Sequence, residues 1–233
     1  APDSPRRFAA STPQPLDPAL PKLVPALPQI EAAVDAQFAE LKVPNLTVGL
    51  VADGALVWSK GYGQRDPGQP GPPDATTVFR LGSLTKLFTG VALLQLRDAG
   101  RLDFDAPAER YLPELARVVY PTRDSPAITV RHLLTHTSGL PRVGKLDYAR
   151  GDREQTEAEL LAAVDGQRLS FVPGTKRSYS NLAVALAGLV IARVSGVDYT
   201  RYVSERVLAP LGLSSGACGR RSEEHTSELQ SRY

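Results

Sequence analysis

Apolar residues along this chain follow a helical period over most of its length and alternate only near its beginning. Ile30, Ala33, Val34, Phe38 and Leu41 recur three or four apart, which predicts an amphipathic helix ending before Pro44. Leu46–Ala52 and Ala55–Tyr62 are rich in strand-forming residues and are separated by Asp53-Gly54. That pair suits a two-residue hairpin turn, because both central positions need positive φ. Residues 63–77 read as loop by composition. From Ser83 to about Ala99, Leu84, Leu87, Phe88, Val91, Leu94 and Leu96 predict a helix that is apolar around much of its circumference. Gly100 is suited to cap it, and the helix is expected in the middle of the protein.

Irregular, proline-punctuated chain follows to Ile128. Thr129 can cap a short helix, Val130–Thr135, ahead of Thr137-Ser138-Gly139. Glu154–Val164 reads as a surface helix and Phe171-Val172-Pro173-Gly174 as a turn. Asn181–Ser195 and Tyr199–Leu208 read as further helices. The longest apolar run, Leu182–Val194, is interrupted by Gly188 and Arg193 and predicts a buried core helix. No run reaches the ~18 residues of a membrane span. No internal repeat is visible. With only two strands, the pattern predicts a lone hairpin. Such a hairpin is marginal in water and leaves open edges, so the sheet reads as incomplete.

Composition narrows the function classes. The 233 residues are 42% hydrophobic, enough for a sizeable core. Charges of 27 basic against 25 acidic residues leave a net +2, which argues for neither nucleic acid nor an anionic membrane as partner. The one cysteine, Cys218, excludes an intrachain disulfide and a multi-cysteine metal site. His132, His136 and His225 show no metal-ligand spacing, so no metal and no cofactor is expected. Residues 1–28 carry eight prolines and few large apolar residues, and read as an extended arm or linker. The chain starts at Ala1 without any methionine, and no signal peptide is visible. The expected organisation is the arm at 1–28, a folded domain at 29–215 and a tail at 216–233. Lys145–Arg153 read as a solvated face, and Trp58 as core packing.

The candidate chemistry lies at two helix starts. In Ser83-Leu84-Thr85-Lys86 the serine and lysine are three apart and so share a helix face. A hydroxyl at a helix start also lies near unpaired backbone N–H groups, which can hold a developing oxyanion. About a hundred residues on, Tyr179-Ser180-Asn181 opens another apolar helix. Lysine and tyrosine both have reference pKa values near ~10, so neither is a good base alone at neutral pH. Side by side, Lys86 and Tyr179 would titrate jointly, ammonium favouring phenolate and the reverse. Such a pair could take the proton of a Ser83 nucleophile. His132 and His136 evoke a Ser–His triad, but no aspartate partner is evident.

These motifs resemble those of the penicillin-recognising serine hydrolases, which pair S-x-x-K with a second polar motif. A Tyr-x-Asn as the second motif resembles the class C β-lactamases and their relatives among esterases, D-aminopeptidases and DD-peptidases. Phe79-Arg80-Leu81-Gly82-Ser83, Leu102–Pro107, His132–Leu140 and Phe171–Gly174 resemble stretches of the same family. The resemblance covers roughly residues 30–213. It implies an α+β, β-lactamase/transpeptidase-like fold: an antiparallel sheet flanked by helices, plus an α-helical lobe. It implies a serine hydrolase working through an acyl-enzyme on a β-lactam, a D-peptide or an ester. Ser83, Lys86 and Tyr179 would be catalytic and Asn181 substrate-binding, with the two histidines in the site wall. The alternative is a penicillin-binding or sensor-type module that is acylated, or binds ligand, without turnover. Partners would be a small-molecule or peptide substrate, in a periplasmic or secreted location; oligomeric state is left open.

The resemblance also implies a third motif, His-x-Gly or Lys-Thr-Gly, on a strand downstream that supplies a second oxyanion N–H. No such motif follows Asn181. Arg221–Ser231 resemble translated sequencing adapter rather than evolved protein. The expectation is a C-terminally truncated fragment with the later strands missing, poorly folded and inactive as it stands.

Overall fold

The computed structural model describes residues 23–65, 71–74, 76–144 and 155–213. The proline-rich arm up to residue 22, the basic stretch Lys145–Arg153, Cys218, His225 and the tail from 216 lie outside the described residues. So do residues 66–70 and 75 of the predicted loop. The chain forms two compact units, divided between Arg80 and Leu81.

The first unit holds α1 (Leu27–Leu41), β1 (Asn45–Ala52) and β2 (Ala55–Gly63). A proline in the first turn of α1 costs nothing there, since that N–H has no intrahelical partner. β1 and β2 pair antiparallel, with Ala52 opposite Ala55. Asp53 and Gly54 take φ of 49° and 75°, the two positive values that a tight hairpin turn needs. A bulge lies further along: Leu50 faces Trp58 while Val51 faces Leu56, so Val57 is the extra residue. α1 bears on the hairpin through Phe38 and Tyr62, ring centroids 5.3 Å apart, and through Asp35 and Lys60 at 3.2 Å. Trp58 is buried, as its packing role predicts.

The second unit is helical: α2 (Thr85–Asp98), α3 (Val130–Leu134), α4 (Glu157–Val164), α5 (Asn181–Ser195) and α6 (Tyr199–Val203). Its core gathers Leu93 and Leu96 of α2 with Leu133, Leu182, Leu186 and Ile191. Each fully buried side chain of this size contributes about 1.5–3 kcal/mol relative to exposure. α5 is the centre of the unit, with eight of its 15 residues buried, as the long apolar run predicts. Two 3-10 turns, Ala108–Arg110 and Pro113–Arg117, punctuate the irregular stretch before α3. α3 carries the expected Thr129 cap: Thr129 Oγ1 accepts the His132 N–H, and His132 Nδ1 accepts the Thr129 N–H, both at 3.2 Å. Val172–Thr175 turn as expected, with the Thr175 N–H on the Val172 carbonyl at 3.1 Å.

Three sequence expectations are corrected. α2 is not enclosed: Thr89, Ala92, Leu93 and Leu96 are buried, while Leu84 and Leu87 on its other side are 64% and 67% exposed. Its apolar residues cover two faces, and only one of them is buried. α4 begins at Glu157, because Thr156 caps it: Thr156 Oγ1 accepts from the Glu159 N–H and Glu159 accepts from the Thr156 N–H. The helix expected from Tyr199 to Leu208 is α-helical only to Val203 and then widens into a π turn, Ser204–Leu208. Pro210 explains this, since its ring would strike the Arg206 carbonyl four residues back and has no N–H to offer it. Gln95 Nε2 donates to that carbonyl instead, at 2.9 Å.

Candidate active site

Two helix starts build the site, both within the second unit. The chain enters α2 through a 3-10 turn, Gly82–Leu84. Gly82 takes φ of 51°, a left-handed conformation that a Cβ disfavours, and the bend leaves Ser83 exposed at the head of the helix. Lys86 follows on the same face, its Nζ donating to Ser83 Oγ at 3.3 Å. α5 enters differently. Ser180, fully buried, is its N-cap: Oγ accepts the Ala183 N–H at 2.9 Å and donates to the Pro141 carbonyl at 2.7 Å. The Arg142 carbonyl accepts the N–H groups of Asn181 and Leu182, at 2.7 and 3.2 Å. With its first turn satisfied in this way, α5 holds the preceding residue, Tyr179, in a fixed place.

The Tyr179 hydroxyl donates to Ser83 Oγ at 2.8 Å, joining residues 96 apart in sequence. Lys86 Nζ lies 5.0 Å from the Tyr179 ring centre and the Arg142 guanidinium 5.2 Å, so two cations bear on the phenol ring. The His136 ring is stacked on it as well, centroids 4.4 Å apart and inclined by 33°. Lys86 first, and then the hydrogen bond with Ser83, hold the Tyr179 phenol below its ordinary pKa; burial opposes them, and Arg142 adds to the lowering. The arrangement can therefore ionise the phenol next to a serine hydroxyl and reverse their hydrogen bond, so that Ser83 Oγ–H donates to the phenolate.

Ser83, Lys86 and Tyr179 thus come together. Asn181 is the first residue of α5, half-buried, and its side-chain amide has no hydrogen-bond partner among the described residues. It does not bond to Lys86. The two predicted wall histidines differ. His132 completes the α3 cap, whereas His136 touches the site directly. Arg142 was not anticipated from the sequence. Its one signal was position, two residues after the His132–Leu140 stretch. Among the described residues, no three His, Cys, Asp or Glu side chains gather in a way that could hold a metal ion. No single described helix is long and apolar enough to cross a membrane.

A family model described as β-lactamase matches residues 30–227. The chain belongs to the β-lactamase family. Protein flp of Staphylococcus aureus strain MW2 is 28% identical over 205 residues, which cover 88% of this chain and 39% of that protein. The chain thus spans about two fifths of the length of that curated relative. An octameric penicillin-binding protein homologue from Pyrococcus abyssi superposes with a TM-score of 0.69 at 32% identity, over 81% of this chain and 43% of its own. EstCE1, described as a hydrolase with promiscuous acyltransferase activity, gives 0.67 at 26% identity, over 80% and 52%. The β-lactamase/transpeptidase-like α+β fold implied by the motifs is therefore the fold of this chain, with a small antiparallel sheet and a large helical part. At the level of function, the chain is a member of a β-lactamase-fold hydrolase family.

Proposed function

We propose that the protein is a serine hydrolase that works through an acyl-enzyme on Ser83. The observation that carries this reading is the meeting at Ser83 Oγ of the Tyr179 hydroxyl, at 2.8 Å, and the Lys86 ammonium, at 3.3 Å. Ser83 Oγ attacks the carbonyl carbon of the substrate while its proton passes to the Tyr179 phenolate. Lys86, beside the ring, favours the phenolate form of Tyr179. The negative charge on the carbonyl oxygen develops beside the Ser83 N–H, at the head of α2. As the tetrahedral species collapses, Tyr179 returns the proton to the leaving group. A water molecule then repeats the sequence on the acyl-enzyme. General acid–base action of this kind contributes ~10²–10⁴-fold.

Asn181, with its amide uncommitted among the described residues, would donate to the substrate's acyl side chain. The substrate is a small molecule or peptide with an activated acyl bond: a β-lactam, a D-peptide or an ester. The family resemblance supports this class, and a periplasmic or secreted location with it. Labelling tests the nucleophile without requiring turnover. A fluorophosphonate or fluorescent penicillin is expected to form one adduct, mapped by mass spectrometry to Ser83 and absent in Ser83→Ala. An adduct on another serine, or equal labelling of the variant, overturns the reading. Release of the penicillin-derived acyl adduct over time, the phosphonyl adduct being inert to water, separates a hydrolase from a module that is acylated without turnover.

A further inference from the structure

His136 lies just past α3, where the chain turns back toward the site. Its φ of 61° is in the left-handed region, where a residue with a side chain is held only by its surroundings. Those surroundings are well defined. The Thr137 N–H bonds the His132 carbonyl at 3.0 Å, and the Gly174 N–H bonds the Thr137 carbonyl at 2.8 Å. The residue is 8% exposed. Its own polar groups grip the chain on both sides of Tyr179. The His136 carbonyl accepts the Ser178 N–H at 2.8 Å, and Nδ1 accepts the Ser180 N–H at 3.2 Å. Between these two bonds, the imidazole is stacked on the Tyr179 ring. One residue thus fixes the residue before Tyr179, the residue after it, and the plane of its ring.

The bond at Nδ1 also fixes the ring's protonation state. Nδ1 can accept only when it carries no proton, so a neutral His136 must carry its proton on Nε2. Protonation would put a second donor on Nδ1, facing the Ser180 N–H. The two donors could not remain 3.2 Å apart. The charged and titratable groups facing the ring are Arg177 and the Tyr179 phenol from the strand of chain leading into α5, and Lys86 from α2. Burial first, and then Arg177 and Lys86, hold the imidazole below its ordinary pKa, so the accepting form dominates at neutral pH.

We infer that His136 is a positioning residue for the acyl-transfer site: its neutral ring holds the Tyr179 hydroxyl against Ser83, and protonation of the ring releases it. The inference rests on the proposed role of Tyr179. It adds an acid-side loss of acylation, below the usual imidazole range, that belongs to neither Tyr179 nor Lys86.

Two variants separate this from a packing role. His136→Phe keeps a ring against Tyr179 and removes the acceptor. His136→Asn keeps an acceptor near the Nδ1 position, cannot titrate and tolerates a left-handed backbone. The readout is the rate of Ser83 labelling by a fluorophosphonate as a function of pH. His136→Phe is expected to label about 10- to 100-fold more slowly, the scale of a small misplacement of a reacting group. His136→Asn is expected to recover most of the rate. Its log-rate profile should lack the steepening that wild type shows below the His136 pKa. In a second measurement, the ¹³Cζ resonance of Tyr179, assigned by its loss in Tyr179→Phe, is expected to shift as His136 titrates. That dependence should vanish in His136→Asn. Wild-type labelling rate and profile in His136→Phe, or a Tyr179 resonance blind to His136, overturns the inference. If wild type does not label at Ser83, the acyl-enzyme reading fails, while the resonance still decides whether His136 positions Tyr179.

Discussion

Tyr179→Phe removes a single oxygen from the candidate site, and the geometry fixes how its effects divide. The variant keeps the ring that stacks on His136 and lies under Lys86 and Arg142. It also keeps the backbone N–H groups and the Ser180 cap that seat the residue. What it loses is the 2.8 Å bond to Ser83 Oγ, in an exposed setting. A hydrogen bond of this kind contributes about 0.5–1.5 kcal/mol net to folding, and less where water can replace it. If the phenol is the base, the loss in acylation is ~10²–10⁴-fold, or about 2.7–5.5 kcal/mol in the barrier. The kinetic effect therefore exceeds the stability effect several-fold. Single-turnover labelling with a fluorophosphonate measures the first, and a denaturant melt of the same protein the second. Lys86→Ala is expected to show a similar rate loss. Because both side chains meet at Ser83 Oγ and serve the same proposed proton transfer, the double variant should be little worse than either single one. Labelling by Tyr179→Phe within about threefold of wild type, a barrier change below ~0.7 kcal/mol, would refute the assignment. The base would then be Lys86 alone or a water molecule.

Two further expectations test the supports around that oxygen. Ser180→Ala removes a buried cap and leaves the Pro141 carbonyl and the Ala183 N–H without partners, at a cost of roughly 2–4 kcal/mol. That corresponds to a fall in Tm of about 4–16 °C by calorimetry, and a fall below ~2 °C would show that the cap is dispensable. Arg142→Gln removes one of the positive charges that lower the Tyr179 phenol, so its pKa rises. The ascending limb of the labelling profile should then move to higher pH, and an unmoved limb would remove Arg142 from the electrostatics of the site.

The parts of this site legible in the sequence are those that depend on local spacing. Ser83 and Lys86 are three apart at a helix start, so their meeting follows from helix geometry. Asp53-Gly54 specified its turn, and the apolar run Leu182–Val194 specified a buried helix. The start of α4 is also legible, as the pattern Thr156-x-x-Glu159, and it lies three residues after the Glu154 that composition suggests. The convergence of Tyr179 on Ser83 was a different matter, because no local rule brings together residues 96 apart. It was reached through a resemblance of motifs. His136 and Arg142 were harder still. A left-handed backbone at His136 and the fold around Arg142 bring an imidazole and a guanidinium onto the Tyr179 ring. Residue type supplies these groups but does not say that they arrive at Tyr179. The π turn at Ser204–Leu208 did have a sequence cause, Pro210, acting four residues back.

The way the two helices begin bears on the electrostatics of the site. α2 has 14 residues and α5 has 15, and the 2.8 Å bond between Ser83 and Tyr179 brings their N-termini to one point. Each N-terminus carries roughly half a positive charge from its aligned peptides. Negative charge appears at that point twice in the proposed reaction: on the phenolate before attack and on the substrate oxygen after it. Both are favoured by the same fields, with Lys86 and Arg142 adding to them. The direct donors are not shared equally, however. The first three N–H groups of α5 are taken by the Arg142 carbonyl and Ser180 Oγ, so α5 offers its field but no hydrogen bonds. On α2, the Leu84 N–H is taken by the Leu81 carbonyl, and Ser83 stands ahead of it. In the proposed reaction α5 would hold and polarise the base, and α2 would carry the nucleophile together with the N–H that meets the oxyanion. α2 and α5 share one apolar core, which includes Leu93, Leu96, Leu186 and Ile191, and that shared core holds the two helix starts in the same unit.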